Sequence, residues 1–329
     1  MARTQELGQA TSGKLSGNKP LGNGTSLERH GIRLRRFAGS ALYTDKLPEP
    51  IRVAHLTDIH VGLVTPMKVQ TAGIDIVLRE KPDIVVITGD FVCHSHAFLT
   101  DLSAIMKRID VPVFGVLGNH DYWAGAPGVR TALKRGGVEL LSNQSTIIEV
   151  RGQKLQLVGL DDAYTGHADR QKALKGMARD IPTLGLSHIA EEADGLWANG
   201  VPFVLSGHTH GGQLTVARLN EWALGRLAGH RYVHGLYGRR EAGQPGEHGA
   251  VYVGAGLGAA VVPIRMGDRG NREIAIFELG LRPGQVPEHH AEQLALNPPS
   301  QVAEELARAL AHERFQARRK RRFHAPREQ

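Results

Sequence analysis

An α/β chain built on two sheets is what this 329-residue sequence predicts, from three observations. Between Ile51 and Ser142 short apolar runs alternate with helical-looking segments, the rhythm of successive βαβ units and hence of a largely parallel sheet covered by helices. From Ser145 onward strands follow one another with fewer helices between them, which predicts a second, mixed sheet. Five of the apolar runs end on Asp, Asn or His, several just after glycine. In α/β sheets the carboxyl ends of strands are where ligands bind.

The elements follow in order. Residues 1–40, of which 1–28 are rich in Gly, Ser, Asn and Lys, are expected to form a disordered basic segment. A domain over 41–280 opens with the strand "IRVAHL" (51–56) and a helix of about 13 residues from Met67. It continues with "DIVVIT" (83–88), the helical "AFLTDLSAIMKRI" (97–109), "VPVFGVL" (111–117), the helical "GVRTALKRG" (128–136) and "VELLS" (138–142). "STIIEVRGQKLQLVGL" (145–160) is a hairpin turning at Arg151-Gly152-Gln153. "TLGLSH", "PFVLSG", "AVYVGA" and "EIAIFEL" complete the second sheet. Residues 281–329 are a Pro- and Gly-rich linker and an amphipathic helix, with Val302, Leu306 and Leu310 on one face, that ends in a basic run.

Composition narrows the function classes. With 41% hydrophobic residues the chain can bury a substantial core. A single cysteine, Cys93, excludes an internal disulfide framework and a Cys-rich zinc site, and suits a reducing compartment. The net charge of +7 sits at the ends: residues 314–329 hold seven basic and one acidic residue, residues 1–40 seven basic and two acidic, and the body between is net negative. The body therefore carries no strong nucleic-acid signal, while either basic tail can touch an anionic membrane surface. No apolar run approaches the roughly 18–20 residues of a membrane helix, and the N-terminus has no apolar signal core, so a cytoplasmic protein, peripheral at most, is expected. Arg35-Arg36 is read as surface charge rather than an export signal.

The strand ends carry the chemistry. "VAHLTDIH" ends on Asp58 and His60, "IVVITGD" on Asp90, "VFGVLGNHD" on Asn119, His120 and Asp121, "LGLSH" on His188, and "VLSGHTH" on His208 and His210. Each alone has a plain account: Asp-x-His can close a turn, Gly-Asn-His-Asp a loop with an Asx-turn, and a His-x-His pair can be two solvated imidazoles. Five such endings at the carboxyl ends of strands point instead to a shared metal site. Oxygen and imidazole donors without thiolates suit Mn²⁺, Fe or Zn²⁺ in a hydrolytic role. Seven candidate ligands (Asp58, His60, Asp90, Asn119, His188, His208, His210) oversupply one tetrahedral ion and call for two. In an extended segment His208 and His210 would share a side.

Taken in order, Asp-x-His, Gly-Asp, Gly-Asn-His-Asp, His and Gly-His-x-His resemble the motifs of the calcineurin-like metallophosphoesterase family over about residues 53–279. The resemblance implies a four-layer α/β/β/α sandwich of two mixed sheets. It implies that Asp58, His60, Asp90 and His210 hold one metal and Asp90, Asn119, His188 and His208 the other, with Asp90 bridging. His120 would contact substrate and Asp121 would fix its tautomer. A metal-bridging hydroxide would then attack phosphorus in line, with His120 protonating the leaving group. "GNHDYWAG", "GLDDAYTG", "SGHTHGGQL", "HGLY" and "GLGAAVVPIR" further resemble a bacterial branch of membrane-associated phosphodiesterases that includes UDP-diacylglucosamine hydrolases. The expected activity is a two-metal phosphodiesterase or pyrophosphatase acting on a small, lipid-linked or nucleotide phosphoester. Its rivals are a nucleotide or nucleic-acid phosphodiesterase and a non-catalytic interaction module on the same fold.

Other residues stay open. Asp161 and Asp162 either line the cleft or close an acidic turn; His94 and His96 either reach substrate or are solvated; Arg265 is a phosphate fork or a surface ion pair. Cys93 is read as a packing residue, and Tyr122 and Trp123 as packing beside the site.

Overall fold

The computed structural model describes residues 25–93, 95–212, 230–241, 249–259, 270–288 and 292–295. Seven strands form the first sheet, in the order β1 (Thr25–Leu27), β2 (Ile32–Ala38), β13 (Arg272–Leu279), β3 (Ile51–Leu56), β4 (Ile84–Thr88), β5 (Val113–Val116) and β6 (Val138–Leu140). The run from β3 to β6 is parallel, as the βαβ rhythm predicts; β13 is antiparallel to β3 and parallel to β2. Six strands form the second sheet: β11 (Gly235–Gly238), β12 (Ala250–Val253), β10 (Phe203–Ser206), β9 (Thr183–Leu186), β8 (Gln153–Gly159) and β7 (Gln144–Val150). Its centre is parallel and both edge pairs are antiparallel. The β7–β8 hairpin turns through Arg151 and Gly152 at φ 48° and 74°, the left-handed pair a two-residue turn requires.

Three apolar clusters stack these parts into four layers. Helices α1 (Met67–Arg79), α2 (Leu99–Met106) and α3 (Asn119–Arg135) cover the outer face of the first sheet, where Val69, Ile74, Val77, Leu102 and Val129 meet Ala54, Leu56, Val85 and Ile87. Between the sheets Val53, Val86, Phe114 and Phe277 face Leu155, Leu184, Phe203 and Tyr252. Short helices α4 (Arg170–Leu174) and α5 (Ala193–Trp197) cover the outer face of the second sheet through Ala173, Ala193 and Leu196 against Val158, Val204 and Val251. The result is an α/β/β/α sandwich. Phe37, Tyr252, Phe277 and Phe203 interlock at its centre with centroids 5.0–5.4 Å apart, each burial contributing roughly 1.5–3 kcal/mol.

Three expectations need correction. "EIAIFEL" does not join the second sheet: β13 lies in the first, because Ile274 and Ile276 bury against the helix layer while Ala275, Phe277 and Leu279 bury between the sheets. A strand buried on both faces carries no sign of which sheet it enters. The segment 1–40 is not disordered throughout, since β1 and β2 belong to the first sheet, β2 pairing with β13 along seven residues. Arg35 is not surface charge. Its guanidinium is 1% exposed and lies 2.6 Å from the equally buried Glu273 on β13; Arg36 pairs with Glu80 at 2.6 Å.

Of the expected linker, Glu288 and Glu292 grip Arg240 (2.7 Å to Nη1 and Nε respectively) and Gln293 pairs with Leu236, so this stretch packs on the domain. Residues 1–24 and 296–329, on which the expected basic C-terminal helix falls, lie outside the described residues. No helix among the described residues is long and apolar enough to cross a membrane.

Candidate metal centre

The strands β3, β4, β9 and β10 all end at one edge, and their next residues bend sharply. Nine non-glycine residues among those described have positive φ, and five are candidate ligands: Asp58 (48°), His60 (48°), Asp90 (52°), His208 (75°) and His210 (53°). Left-handed backbone costs a side chain of this size free energy, and such strain gathers where geometry matters more than stability. The bends are held by cross-strand hydrogen bonds: Asp58 N donates to Gly89 O (3.1 Å), His60 N to Asp90 O (3.0 Å) and Gly258 N to Asp58 O (2.7 Å). Gly207 permits the approach from β10, since a Cβ there would overlap Thr57 Oγ1 and lie 2.5 Å from Asp58 Oδ2.

Asp58, His60, Asp90 and His210 present one donor atom each, all within 4.8 Å of one another. His60 Nε2 lies 3.1 Å from His210 Nε2 and 3.6 Å from Asp90 Oδ2, and His210 Nε2 lies 3.4 Å from Asp58 Oδ1. Asp58 Oδ2 accepts from Thr57 Oγ1 (2.7 Å) and His208 N (3.1 Å), which leaves Oδ1 facing the histidines with no hydrogen-bond donor.

A second group adjoins it. Asn119 Oδ1 lies 3.1 Å from His188 Nε2 and 3.0 Å from His208 Nδ1, these two nitrogens are 3.3 Å apart, and His188 Nε2 is 3.4 Å from Asp90 Oδ2. Asp90 is common to both groups. Its Oδ1 accepts from His120 N (2.9 Å) at the start of α3, so Oδ2 is the oxygen that faces His60, His120 and His188. His188 Nδ1–H donates to Thr88 O (2.8 Å), which fixes the tautomer and turns the Nε2 lone pair inward. The expectation that His208 and His210 share a side of an extended segment does not hold. β10 has ended, both residues are left-handed, and the two rings point into different groups.

The electrostatics suit cations. Burial holds His60 and His208 well below the usual imidazole range, so they are neutral with lone pairs available. Burial, then Asp90, raises the Asp58 carboxyl. Asp90 is held low against its burial by His188, His120 and His60. His188, despite burial that disfavours its cation, is pushed up to about 10 by Asp90 with Asp58 and Asp162 behind it. In that state a proton plays the part a metal ion takes more effectively. Asp58 Oδ1 is a buried carboxylate oxygen with no hydrogen-bond donor, facing imidazole nitrogens, and a cation there would satisfy it. The residues therefore fit divalent metal of the hard-to-borderline kind, with oxygen and imidazole donors and no sulfur.

His120 is not placed as the other histidines are. Its Nε2 lies 3.9 Å from Asp90 Oδ2, its ring stands edge-on to His60 at 4.7 Å, and it reaches the opening. Asp121 does not fix its tautomer. The carboxylate accepts instead from three backbone N–H groups, Phe91 (2.9 Å), Val92 (3.1 Å) and Gly118 (2.9 Å). Burial and Asp90 push its pKa up to about 8 while these donors hold it down; both oxygens accept, which the ionised form satisfies. Asp121 thus ties the loop after Asp90 to the first turn of α3. The Gly-Asn-His-Asp stretch is that helix's start rather than a loop, with a kink at Gly125 before Pro127.

Asp161 accepts from Arg130 (2.8 Å) and Asp162 from Thr165 N and Oγ1 (2.7 and 2.6 Å), which is the acidic-turn reading. His96 is exposed and Cys93 buried; His94 and Arg265 lie outside the described residues. Sequence reasoning missed Gln70, buried on α1, whose amide holds the carbonyls of Ile59 and His60 (3.3 and 3.1 Å). A polar residue beside Val69 on an apolar helix face was its signal. Tyr164 and His230, packed on His208 at 5.3 and 5.4 Å, were also missed: Tyr164 lies in "GLDDAYTG" but was not singled out there, and His230 had no motif to mark it.

Comparisons with known proteins identify a family. The family model described as calcineurin-like phosphoesterase matches residues 51–212. An uncharacterized metallophosphoesterase of Aquifex aeolicus is 31% identical over 207 residues, covering 59% of this chain and 76% of that protein. Phosphodiesterase YaeI of Escherichia coli is 29% identical over 195 residues, covering 57% and 70%. An uncharacterized metallophosphoesterase of Helicobacter pylori is 29% identical over 245 residues, covering 71% of this chain and 62% of that protein's length.

Proposed function

The chain belongs to the calcineurin-like phosphoesterase family and is a metal-dependent phosphoesterase; from that premise we propose that it is a two-metal phosphodiesterase or pyrophosphatase. The observation that carries the proposal is the pair of adjoining donor groups sharing Asp90. Asp58, His60, Asp90 and His210 would hold one ion, and Asp90, Asn119, His188 and His208 the other. Divalent ions bound there would supply Lewis acidity toward a phosphoryl oxygen and a nucleophile from water near neutral pH.

The chain's own residues do the rest. Asp58 and Asp90 bring two negative charges into a buried site, leaving it able to accept a phosphoryl anion once two dications are present. Thr57 donates to the Asp58 carboxylate, Gln70 to the backbone carbonyl of His60, and Asp121 accepts from the backbone beside Asp90 and Asn119, so the donor atoms are in place before substrate arrives. His120, beside Asp90 and His60 and more exposed than either, is placed to stabilise added charge on phosphorus and, when protonated, to give its proton to the leaving oxygen. No residue at the site is required as a covalent nucleophile.

Diester or pyrophosphate hydrolysis is preferred to monoester hydrolysis on the likeness to YaeI, which is named a phosphodiesterase. A lipid-linked pyrophosphate of the UDP-diacylglucosamine type falls in the same chemical class. The test is hydrolysis of bis(p-nitrophenyl) phosphate against p-nitrophenyl phosphate with Mn²⁺, followed by a panel of nucleotide sugars and lipid pyrophosphates scored by released product. A higher kcat/KM on the diester is expected; a clear preference for the monoester would overturn the assignment.

A further inference from the structure

Strand β13 pairs with β3 only between Ala275 and Leu279. Beyond Leu56 β3 has ended, and the segment 254–258, "GAGLG", takes its place beside β13: Glu273 N donates to Gly256 O (3.1 Å) and Glu273 Oε1 accepts from Ala255 N (3.4 Å). One residue thus grips this segment through both its backbone and its side chain. The segment in turn grips the Asp58 bend. Leu257 N donates to Thr57 O (3.1 Å) and Gly258 N to Asp58 O (2.7 Å), while Gly254 N donates to Ser206 O (2.9 Å) at the end of β10. The approach leaves no room for side chains: a Cβ on Gly256, itself at φ 78°, would lie 2.7 Å from Asp58 Cβ, and one on Gly258 would lie 2.8 Å from His60 Cβ.

The Glu273 carboxylate is itself held from the far side. Its Oε2 meets Arg35 Nε (2.6 Å) and His234 Nε2 (2.9 Å), so Oε1 is turned to the hydroxyl of Tyr252 and to Ala255 N. All of these residues are buried. An immobile acceptor is what a strained bend needs. Asp58 and His60, both at φ 48°, keep a left-handed backbone only where the surroundings over-determine it. Two of the hydrogen bonds that do so come from the segment Glu273 holds.

We propose that Glu273 is a positioning residue for the donor group of Asp58, His60, Asp90 and His210, acting through the glycine segment 254–258 to set the bend that carries Asp58 and His60. The proposal rests on the two-metal reading and deepens it: the two donor groups are supported from different places. Asn119 and His188 of the second group are held elsewhere, by the first turn of α3 and by Thr88 O. Losing the Glu273 carboxylate therefore falls mainly on the first group, whereas a residue that only held the sheets together would weaken both through stability.

The test separates that role from the stability of the buried charge. Arg35→Met/Glu273→Gln and Arg35→Met/Glu273→Met both remove the charge pair, but only Gln keeps an oxygen that can accept from Ala255 N. Mn²⁺ binding to the chelator-stripped proteins is measured by calorimetry, with His210→Ala and His208→Ala assigning each ion to its group, and thermal unfolding of the metal-free proteins is recorded alongside. The Gln variant should keep the wild-type affinities. The Met variant should weaken the ion of the Asp58 group about tenfold or more, the usual cost of losing a residue that orients a metal ligand, and the other ion less. Arg35→Met alone, which keeps the carboxylate, should lose stability without that loss of affinity. Wild-type affinity in the Met variant, an equal loss in the Gln and Met variants, or a loss that follows the unfolding midpoints across all three would overturn the role of Glu273. A wild type that takes up a single ion, lost in His210→Ala, would overturn the two-metal reading and leave the Gln and Met variants to decide the role of Glu273 on that ion; no ion, or a single ion lost only in His208→Ala, would overturn both.

Discussion

Replacing Arg35 by Met tests the buried charge that joins the two sheets. Glu273 on β13 is reached by Arg35 Nε from β2 (2.6 Å), by His234 Nε2 (2.9 Å) and by the hydroxyl of Tyr252 on β12, all of them buried. Although burial opposes its charge, Arg35, then His234 and Tyr252, hold the Glu273 carboxyl well below the usual range. Met fills the volume of the Arg stem but removes the guanidinium and leaves the buried carboxylate with His234 and the Tyr252 hydroxyl; removing one charged partner of a buried pair costs about 3–5 kcal/mol. That is a large share of the roughly 5–15 kcal/mol by which domains are stable. The assay is urea unfolding of metal-saturated wild type, Arg35→Met, Glu273→Gln and the double variant at pH 7 and pH 5. The double variant should lose less than the sum of the singles by at least about 2 kcal/mol. The sign with pH follows from the carboxyl. In the wild type its folded pKa lies below the unfolded value of about 4.3, so its contribution is fully present above that value and is lost only as pH falls through the lower, folded one. Between pH 7 and 5 it is therefore constant. In Arg35→Met burial is opposed only by His234 and Tyr252, so the deficit should shrink at pH 5 as the Glu273–His234 pair takes up a proton. Additive single losses, or a deficit equal at both pH values, would refute the argument.

His120→Ala should keep its metal, counted by elemental analysis, while kcat falls about 10²- to 10⁴-fold, the usual contribution of a general acid. Asp121→Asn turns an amide N–H₂ toward backbone N–H groups that now meet oxygens, and should cost about 1–3 kcal/mol in thermal or urea unfolding. Gly207→Ala places a methyl group against Thr57 and Asp58; a Mn²⁺ Kd weakened at least about tenfold is expected by calorimetry, and an unchanged Kd would show that the β10 approach does not set Asp58.

Much of the fold was legible because its signals are local. The βαβ rhythm from Ile51 to Ser142 and the Arg151-Gly152 turn depend on residues near in sequence, and both appear where expected. β13 and β2 were not placed, because their partners are distant and a strand buried on both faces looks alike in either sheet. Arg35 misled for the same reason: the carboxylate that neutralises it is Glu273, 238 positions later in the chain. At the site, the residue types at the strand ends were readable, and the seven named residues come together. Their backbone was not readable. Left-handed Asp and His have no sequence mark, so the turn by which His208 and His210 reach separate groups was not readable, although the resemblance implied the two groups themselves. The family resemblance implied Asp121 as the partner of His120, whereas in the first turn of a helix its side chain reaches back to the preceding backbone.

The most direct measurement is Mn²⁺ titration of the chelator-stripped protein, with bound metal counted per chain and hydrolysis of bis(p-nitrophenyl) phosphate followed at each step. Two donor groups sharing Asp90 predict negligible turnover without metal and full activity only as occupancy reaches about two ions per chain. Full turnover in the stripped protein, or saturation at one ion, would contradict the two-metal account.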